Sequence, residues 1–205
     1  MSLVFYYSPM STAEVTKLII EELEIPCKVV QLSIKDGDTK KPEFMKLNPN
    51  AKVPVIVHDD VPIWESAAIT MYLGEMFGVE KKLYPAPGPK RGEAMKWIAW
   101  ANVSLGDTVA RWCRNTMDWA PADEHNAKAG EAGKRALQEH LSMLDKALGG
   151  GQYLAGTYTL ADAHVNSFCD WIRHMDIDFK PYSHLNAWSK RCAERPAYKR
   201  VNAQG

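Results

Sequence analysis

The stretch Tyr84-Pro85-Ala86-Pro87-Gly88-Pro89 concentrates three prolines and a glycine. Proline fixes φ and removes a backbone donor, so neither a helix nor a central strand can run through it. The chain must therefore fold as two blocks joined here, and the patterns on the two sides differ. Before the break, Leu3-Val4-Phe5-Tyr6-Tyr7 is a short apolar run with strand character. Val15, Leu18, Ile19, Glu22 and Leu23 have helical spacing, and a second strand over 27–34 follows Pro26. Asn48-Pro49-Asn50 turns the chain into a third strand over 53–57, and Asp59-Asp60 reverses it into a fourth over 61–64. From Ser66, the residues Ile69, Tyr72, Leu73 and Met76 return to helical period until Gly78.

After the break every pattern is helical. Trp97, Trp100, Ala101, Leu105, Val109 and Trp112 share one face, and an amphipathic stretch over 136–148 ends at Gly149-Gly150-Gly151. Thr159-Leu160-Ala161-Asp162 has the spacing of a capping box, opening a helix whose apolar residues are Ala163, Val165, Phe168 and Ile172. A last helix over 183–193 turns Leu185 and Trp188 inward and is closed off at Arg195-Pro196. The expected organisation is an α/β domain over 1–80, a linker over 81–89 and an all-helical domain over 90–205.

Composition narrows the function classes. The 205 residues carry 25 basic and 25 acidic side chains, with pI near 7.0, so there is no overall basic field to hold nucleic acid or an anionic membrane. The four cysteines, Cys27, Cys113, Cys169 and Cys192, form no CxxC pair, zinc spacing or disulfide framework, and the six histidines show no metal spacing. No metal is expected, and the cysteines read as reduced, buried thiols. The N-terminus runs directly into an apolar strand, and no apolar run approaches the roughly 20 residues of a membrane span, so the cytoplasm is the expected location. Asn102-Val103-Ser104 matches a glycosylation acceptor, which has no meaning for a cytoplasmic chain.

Taken in order, several pieces resemble the cytosolic glutathione transferases across essentially the whole chain. They are the β-α-β opening, Asn48-Pro49 followed by Val53-Pro54, Glu65-Ser66 followed by Ala68-Ile69, the proline-rich linker, and Thr159-Leu160-Ala161-Asp162 in a helical half. The resemblance implies a thioredoxin-like N-terminal domain, an all-α C-terminal domain, glutathione as co-substrate, a small electrophile as its partner, and a homodimer. It also implies a cis Val53–Pro54 bond that turns the Val53 amide and carbonyl toward the cysteinyl backbone of glutathione, as an added strand. The ordinary alternative is a trans proline opening a strand. At the start of a helix, the Ser66 hydroxyl and amide suit the γ-glutamyl carboxylate, and Glu65 suits the γ-glutamyl ammonium.

The thiol itself needs help. A free thiol with pKa of about 8.5 is only a few per cent ionised at neutral pH, and lowering it by two units takes about 2.7 kcal/mol of selective thiolate stabilisation. A hydroxyl hydrogen bond plus the positive end of a helix is of that size. By resemblance, Ser11 falls at the serine of the theta and delta-like classes, Thr12 at the cysteine of the beta class, and Tyr7 at the tyrosine of the mammalian tyrosine classes. Ser11 is preferred among the three. The serine classes continue with proline, cysteine and arginine, whereas here Thr12-Ala13-Glu14 follows, and an inward Glu14 carboxylate would oppose a thiolate.

Lys40, Lys41 and Lys52 are candidates for the glycyl carboxylate, and Asp107 for the ammonium across a dimer interface. The set Trp97, Trp100, Arg111, Trp112, Arg114, Asn115 and Trp119 has the spacing of core or interface. Its members nearest the helix end, Arg111, Trp112 and Asn115, join Met10 as candidates for the second-substrate pocket. His164 and His174 read as a helix residue and a helix-end residue. The function implied is glutathione transfer to an electrophile. Glutathione-dependent disulfide reduction or peroxidation, a lyase or dehalogenase reaction, and a non-catalytic binding protein are the alternatives. A scaffold has no need of Val53-Pro54 and Glu65-Ser66.

Overall fold

The computed structural model describes residues 2–118, 120–175 and 177–203, which leaves Trp119 outside the described residues. Strand β1 (Leu3–Tyr7) buries Leu3, Phe5 and Tyr7 on one face and lies in the middle of a four-stranded mixed sheet. It pairs in parallel with β2 (Lys28–Gln31) and antiparallel with β3 (Val55–His58), which pairs antiparallel with the edge strand β4 (Val61–Trp64). The parallel pair needs a crossover, and α1 (Ala13–Leu23) supplies it. In register, Tyr6 lies opposite Val55, and Val55 opposite Trp64. The C-terminal end of β1, the start of β3 and the end of β4 therefore share one edge of the sheet.

Two strands are shorter than their sequence patterns. β2 stops at Gln31 because the chain turns away after Leu32 donates to the Tyr7 carbonyl, and the Asp38 carboxylate accepts the Ser33 amide at 2.8 Å to close the turn. β3 begins at Val55 rather than Val53, since Pro54 has no amide to place in the ladder. A short helix, α2 (Pro42–Met45), lies between β2 and β3, and α3 (Ser66–Leu73) follows β4 and widens into a π-helical turn over Gly74–Gly78. The wide turn receives the linker. A Cβ on Gly74 would lie 2.7 Å from the ring of Tyr84, which is itself buried.

The helical half comprises α4 (Pro89–Trp100), a π-helical segment (Ala101–Gly106), α5 (Asp107–Thr116), α6 (Ala127–Leu148), α7 (Leu160–Arg173), α8 (Ser183–Ala193) and α9 (Pro196–Asn202). Helix α6 starts nine residues before the expected 136, capped by Asn126, whose side chain accepts the Ala129 amide at 3.0 Å. Gly133 permits its close approach to α5, since a Cβ there would meet Trp112 at 3.0 Å. Arg195-Pro196 does not end the helical structure. Proline takes the first position of α9, where its missing donor costs nothing. The new helix packs on α1, with Arg195 paired to the buried carboxylate of Glu22 at 2.6 Å and the Tyr158 hydroxyl donating to the same carboxylate at 2.7 Å.

Helix α7 is the axis of this half and packs against both α1 and α4. Its expected capping box is present. The fully buried Asp162 carboxylate accepts the Thr159 amide, the Leu154 amide and the Trp188 indole, each at 2.9 Å. Burial nonetheless raises its pKa above the ordinary carboxylate value. No helix among the described residues is long and apolar enough to cross a membrane.

Asp162→Ala leaves three donors without acceptors in a site closed to water, at about 1–3 kcal/mol each. The expected result is a thermal midpoint lower by about 6–12 °C or more; an unchanged midpoint contradicts this role.

Candidate functional site

The β1–α1 loop carries the hydroxyls that the sequence singles out. Tyr7 is nearly buried, and its hydroxyl donates to the Glu14 carboxylate at 2.5 Å. Burial first, and then Glu14, push its pKa well above the ordinary phenol value, so its proton stays on the oxygen and is spent on that carboxylate. Met10 stands at φ +56 and is 87% exposed. The Ser11 hydroxyl donates to the Ser8 carbonyl at 2.6 Å and accepts the Ala13 amide, in the first turn of α1, at 3.2 Å. The Thr12 hydroxyl reaches across to the Val53 carbonyl at 3.4 Å. Val53 is buried and the Val53–Pro54 bond is cis.

The second part of the edge is the junction of β4 with α3. Glu65 is exposed and has φ +71 and ψ 119, a backbone conformation that costs a residue with a Cβ about 1–3 kcal/mol. Strain of that kind persists only where the surroundings impose it. Ser66, the first residue of α3, is 2% exposed, and its hydroxyl oxygen accepts from the Asn102 side-chain amide at 2.8 Å. Asn102 lies in the π-helical segment between α4 and α5. Its Oδ1 is 2.7 Å from Nε2 of His164 on α7, and the other ring nitrogen, Nδ1, is 2.9 Å from the Thr70 hydroxyl on α3. His164 is fully buried, and that burial lowers its pKa to about 3, so the ring is uncharged at neutral pH.

A polar relay, Thr70–His164–Asn102–Ser66, thus runs from the middle of α3 through the helical half and back to the start of α3 at the edge of the sheet. Sequence reasoning missed both central members, taking Asn102 for a chance glycosylation match and His164 for an ordinary helix residue. The available signal was an imidazole set in the apolar run Ala163, Val165 and Phe168, where only a partnered ring is tolerated.

The remaining candidates fall into different surroundings. Lys40 and Lys52 are exposed, while Lys41 is paired with Asp38 at 2.6 Å, which raises its pKa. The Lys52 carbonyl accepts the Asn48 side-chain amide at 2.7 Å and shapes the turn before Val53. Asp107 and Arg111 form an exposed pair one turn apart on α5. Asn115 ties the end of α5 to the start of α6: its Nδ2 donates to the Arg111 carbonyl at 2.7 Å, and its Oδ1 accepts the Asn126 amide at 3.1 Å. Trp112 is buried in the α5–α6 contact, so the structure places it in the core rather than on a pocket wall. The sheet edge brings together Tyr7, Ser11, Thr12, Val53, Pro54, Glu65 and Ser66. A cavity of about 490 Å³ beside the linker, lined by Tyr84, Pro85 and Thr159 among others, contains none of them.

Residues 1–75 match the family model for the glutathione S-transferase N-terminal domain, and residues 92–196 match that for the C-terminal domain. Over 187 residues the chain is 28% identical to glutathione S-transferase GstB of Escherichia coli K12, covering 90% of this chain and 89% of that protein. The theta class glutathione S-transferase from Xanthomonas axonopodis pv. citri, solved with glutathione bound, superposes with a TM-score of 0.86 at 25% identity, over 98% of this chain and 96% of that one. Glutathione transferase URE2P6 from Phanerochaete chrysosporium, solved with oxidized glutathione, shares the fold with a TM-score of 0.91 at 21% identity, over 99% and 96% of the two chains.

The buried imidazole makes stability depend on pH. Its pKa is about 3 when folded and 6.5 when unfolded. Between those values the unfolded chain binds a proton that the folded chain refuses. Stability present above pH 6.5 is therefore lost as the pH falls toward 3, at up to about 1.4 kcal/mol per pH unit. Denaturant unfolding of wild type and His164→Gln across this range is expected to show a steeper loss in wild type. Parallel losses in the two proteins contradict it.

Proposed function

The chain belongs to the glutathione S-transferase family, and we propose that it binds glutathione along the shared edge of β1, β3 and β4 and delivers the thiolate to a small electrophile. The γ-glutamyl carboxylate meets the Ser66 hydroxyl and the free amides at the start of α3, and Glu65 takes the ammonium beside it. The cysteinyl backbone pairs with Val53. Lys40 or Lys52 meets the glycyl carboxylate; Lys41 is the weaker candidate because Asp38 already holds its ammonium. Met10 and Arg111 remain the candidates for contact with the electrophile. A homodimer, in which Asp107 approaches the second copy's site, and a cytoplasmic location belong to the same proposal, as does the division into domains over 1–80 and 90–205.

Ser11 is the thiolate donor in this proposal, and the observation that carries it is how the three hydroxyls are engaged. The Tyr7 proton is held by Glu14, and the Thr12 hydroxyl leans on the Val53 carbonyl. The Ser11 oxygen receives the Ala13 amide, which polarises its O–H and makes it the better donor. Its present acceptor is only the Ser8 carbonyl, which a thiolate outcompetes because charge-assisted hydrogen bonds are roughly twice as strong. Glutathione then attacks as the sulfur anion: a C–S bond forms at the electrophilic carbon and the leaving group departs with the bonding electrons. An exchange mechanism that passes through a protein cysteine is less well supported. Cys113, Cys169 and Cys192 are buried, and burial pushes the half-buried Cys27 thiol up to about 11.

Ultraviolet titration of bound glutathione tests the assignment. Ser11→Ala is expected to raise the apparent thiol pKa by about 1–2 units, the worth of a hydrogen bond to a charged group, whereas Thr12→Val leaves it within about half a unit. An unchanged pKa in Ser11→Ala contradicts the assignment.

A further inference from the structure

We infer that His164 is a positioning residue for ligand binding: by holding the Asn102 side-chain amide in one orientation, it forces the Ser66 hydroxyl proton outward, toward a ligand carboxylate. The inference rests on the glutathione reading above and explains why Ser66 acts as a donor.

A serine hydroxyl has one proton, and a buried oxygen with an acceptor behind it would turn that proton inward. Ser66 then would face an incoming carboxylate with lone pairs only. Here the group behind Ser66 is Nδ2 of Asn102, a donor, at 2.8 Å. An asparagine amide can rotate by half a turn at little cost in shape, which would bring Oδ1 to Ser66 and capture the proton. The far side of the amide opposes this, because the flip also requires the ring to shift its one proton from Nε2 to Nδ1. Oδ1 faces Nε2 of His164 at 2.7 Å, and two bare lone pairs do not meet at that distance, so Nε2 carries the hydrogen. The uncharged ring has only one N–H, so Nδ1 is bare and accepts from the Thr70 hydroxyl at 2.9 Å. With the amide placed this way, donation runs in one direction along the whole relay, from Thr70 to His164 to Asn102 to Ser66. The Ser66 proton is left for the ligand. His164 touches no ligand; it acts from α7, across the interface between the two halves, on a serine of the sheet half.

The test uses two replacements of His164 and two ligands. His164→Met fills the space without a donor, whereas His164→Gln restores an N–H that can reach Asn102. The ligands are glutathione and γ-aminobutyryl-cysteinyl-glycine, which is glutathione without the γ-glutamyl α-carboxylate. Calorimetric Kd and the KM for each thiol are read beside thermal midpoints. His164→Met is expected to weaken glutathione at least about tenfold and the analogue less than about twofold, with His164→Gln within about threefold of wild type. Asn102→Asp, which puts only acceptors behind Ser66 at a half-buried position, gives the same selective loss and serves if His164→Met does not fold. Equal glutathione affinity in wild type and His164→Met overturns the inference, as does an equal loss for both ligands, which marks general damage to the fold. If wild type itself does not prefer glutathione to the analogue, the Ser66–carboxylate contact is absent and the binding reading falls with it. If wild type prefers glutathione and the variants keep that preference, only the role of His164 falls.

Discussion

The hydrogen bond from Asn102 to Ser66 is the contact on which the arrangement of the site depends. It joins a side chain of the helical half to the first residue of α3, at the point where β4 hands the chain over from strand to helix. Without it the sheet edge would still present backbone amides, but the direction of the serine proton and the setting of the strained Glu65 would be left to solvent. The same bond is one of the contacts that join the two halves. The relay continues through His164 to Thr70 and so returns to α3, closing a loop of polar contacts across the interface.

That interface is held from several directions. The Asp162 carboxylate fixes the start of α7, and the Leu160 amide bonds the Leu83 carbonyl, which brings the linker to the same place. Tyr84 fills the space left by Gly74. At the far end, Arg195 and Tyr158 converge on Glu22, so α9 clamps α1 against the helical half. The helix that follows Ser11 and the helix that supplies His164 are therefore one packed unit.

Much of this was readable from the chain. Prolines and glycines are local punctuation, so the linker and the strand-to-helix order followed from residues near one another in sequence. The capping box at Thr159–Asp162 is local too, and its geometry matched its spacing. The failures share a cause, which is that partners distant in sequence decide the outcome. His164 and Asn102 are 62 residues apart, and neither has meaning without the other. The spacing of Trp112 suits the core, but that it packs at Gly133 of α6 is decided by a residue far along the chain. Spacing favoured Ser11 over Tyr7 but could not show that the Tyr7 hydroxyl is occupied, because its hydrogen bond to Glu14 depends on how the start of α1 folds back over β1. Arg195-Pro196 does close the helix over 183–193, but that helix is not the last, because the same proline opens α9.

The central claim is that a zwitterionic γ-glutamyl group docks at the strained junction of β4 and α3. The most direct measurement is calorimetric titration of glutathione into wild type and Glu65→Gly, with melting midpoints for both. Glycine adopts φ +71 without a Cβ penalty, so the account predicts a variant at least as stable as wild type that binds glutathione about tenfold or more weakly. Equal affinity in the two proteins, or no heat of binding in either, would contradict it.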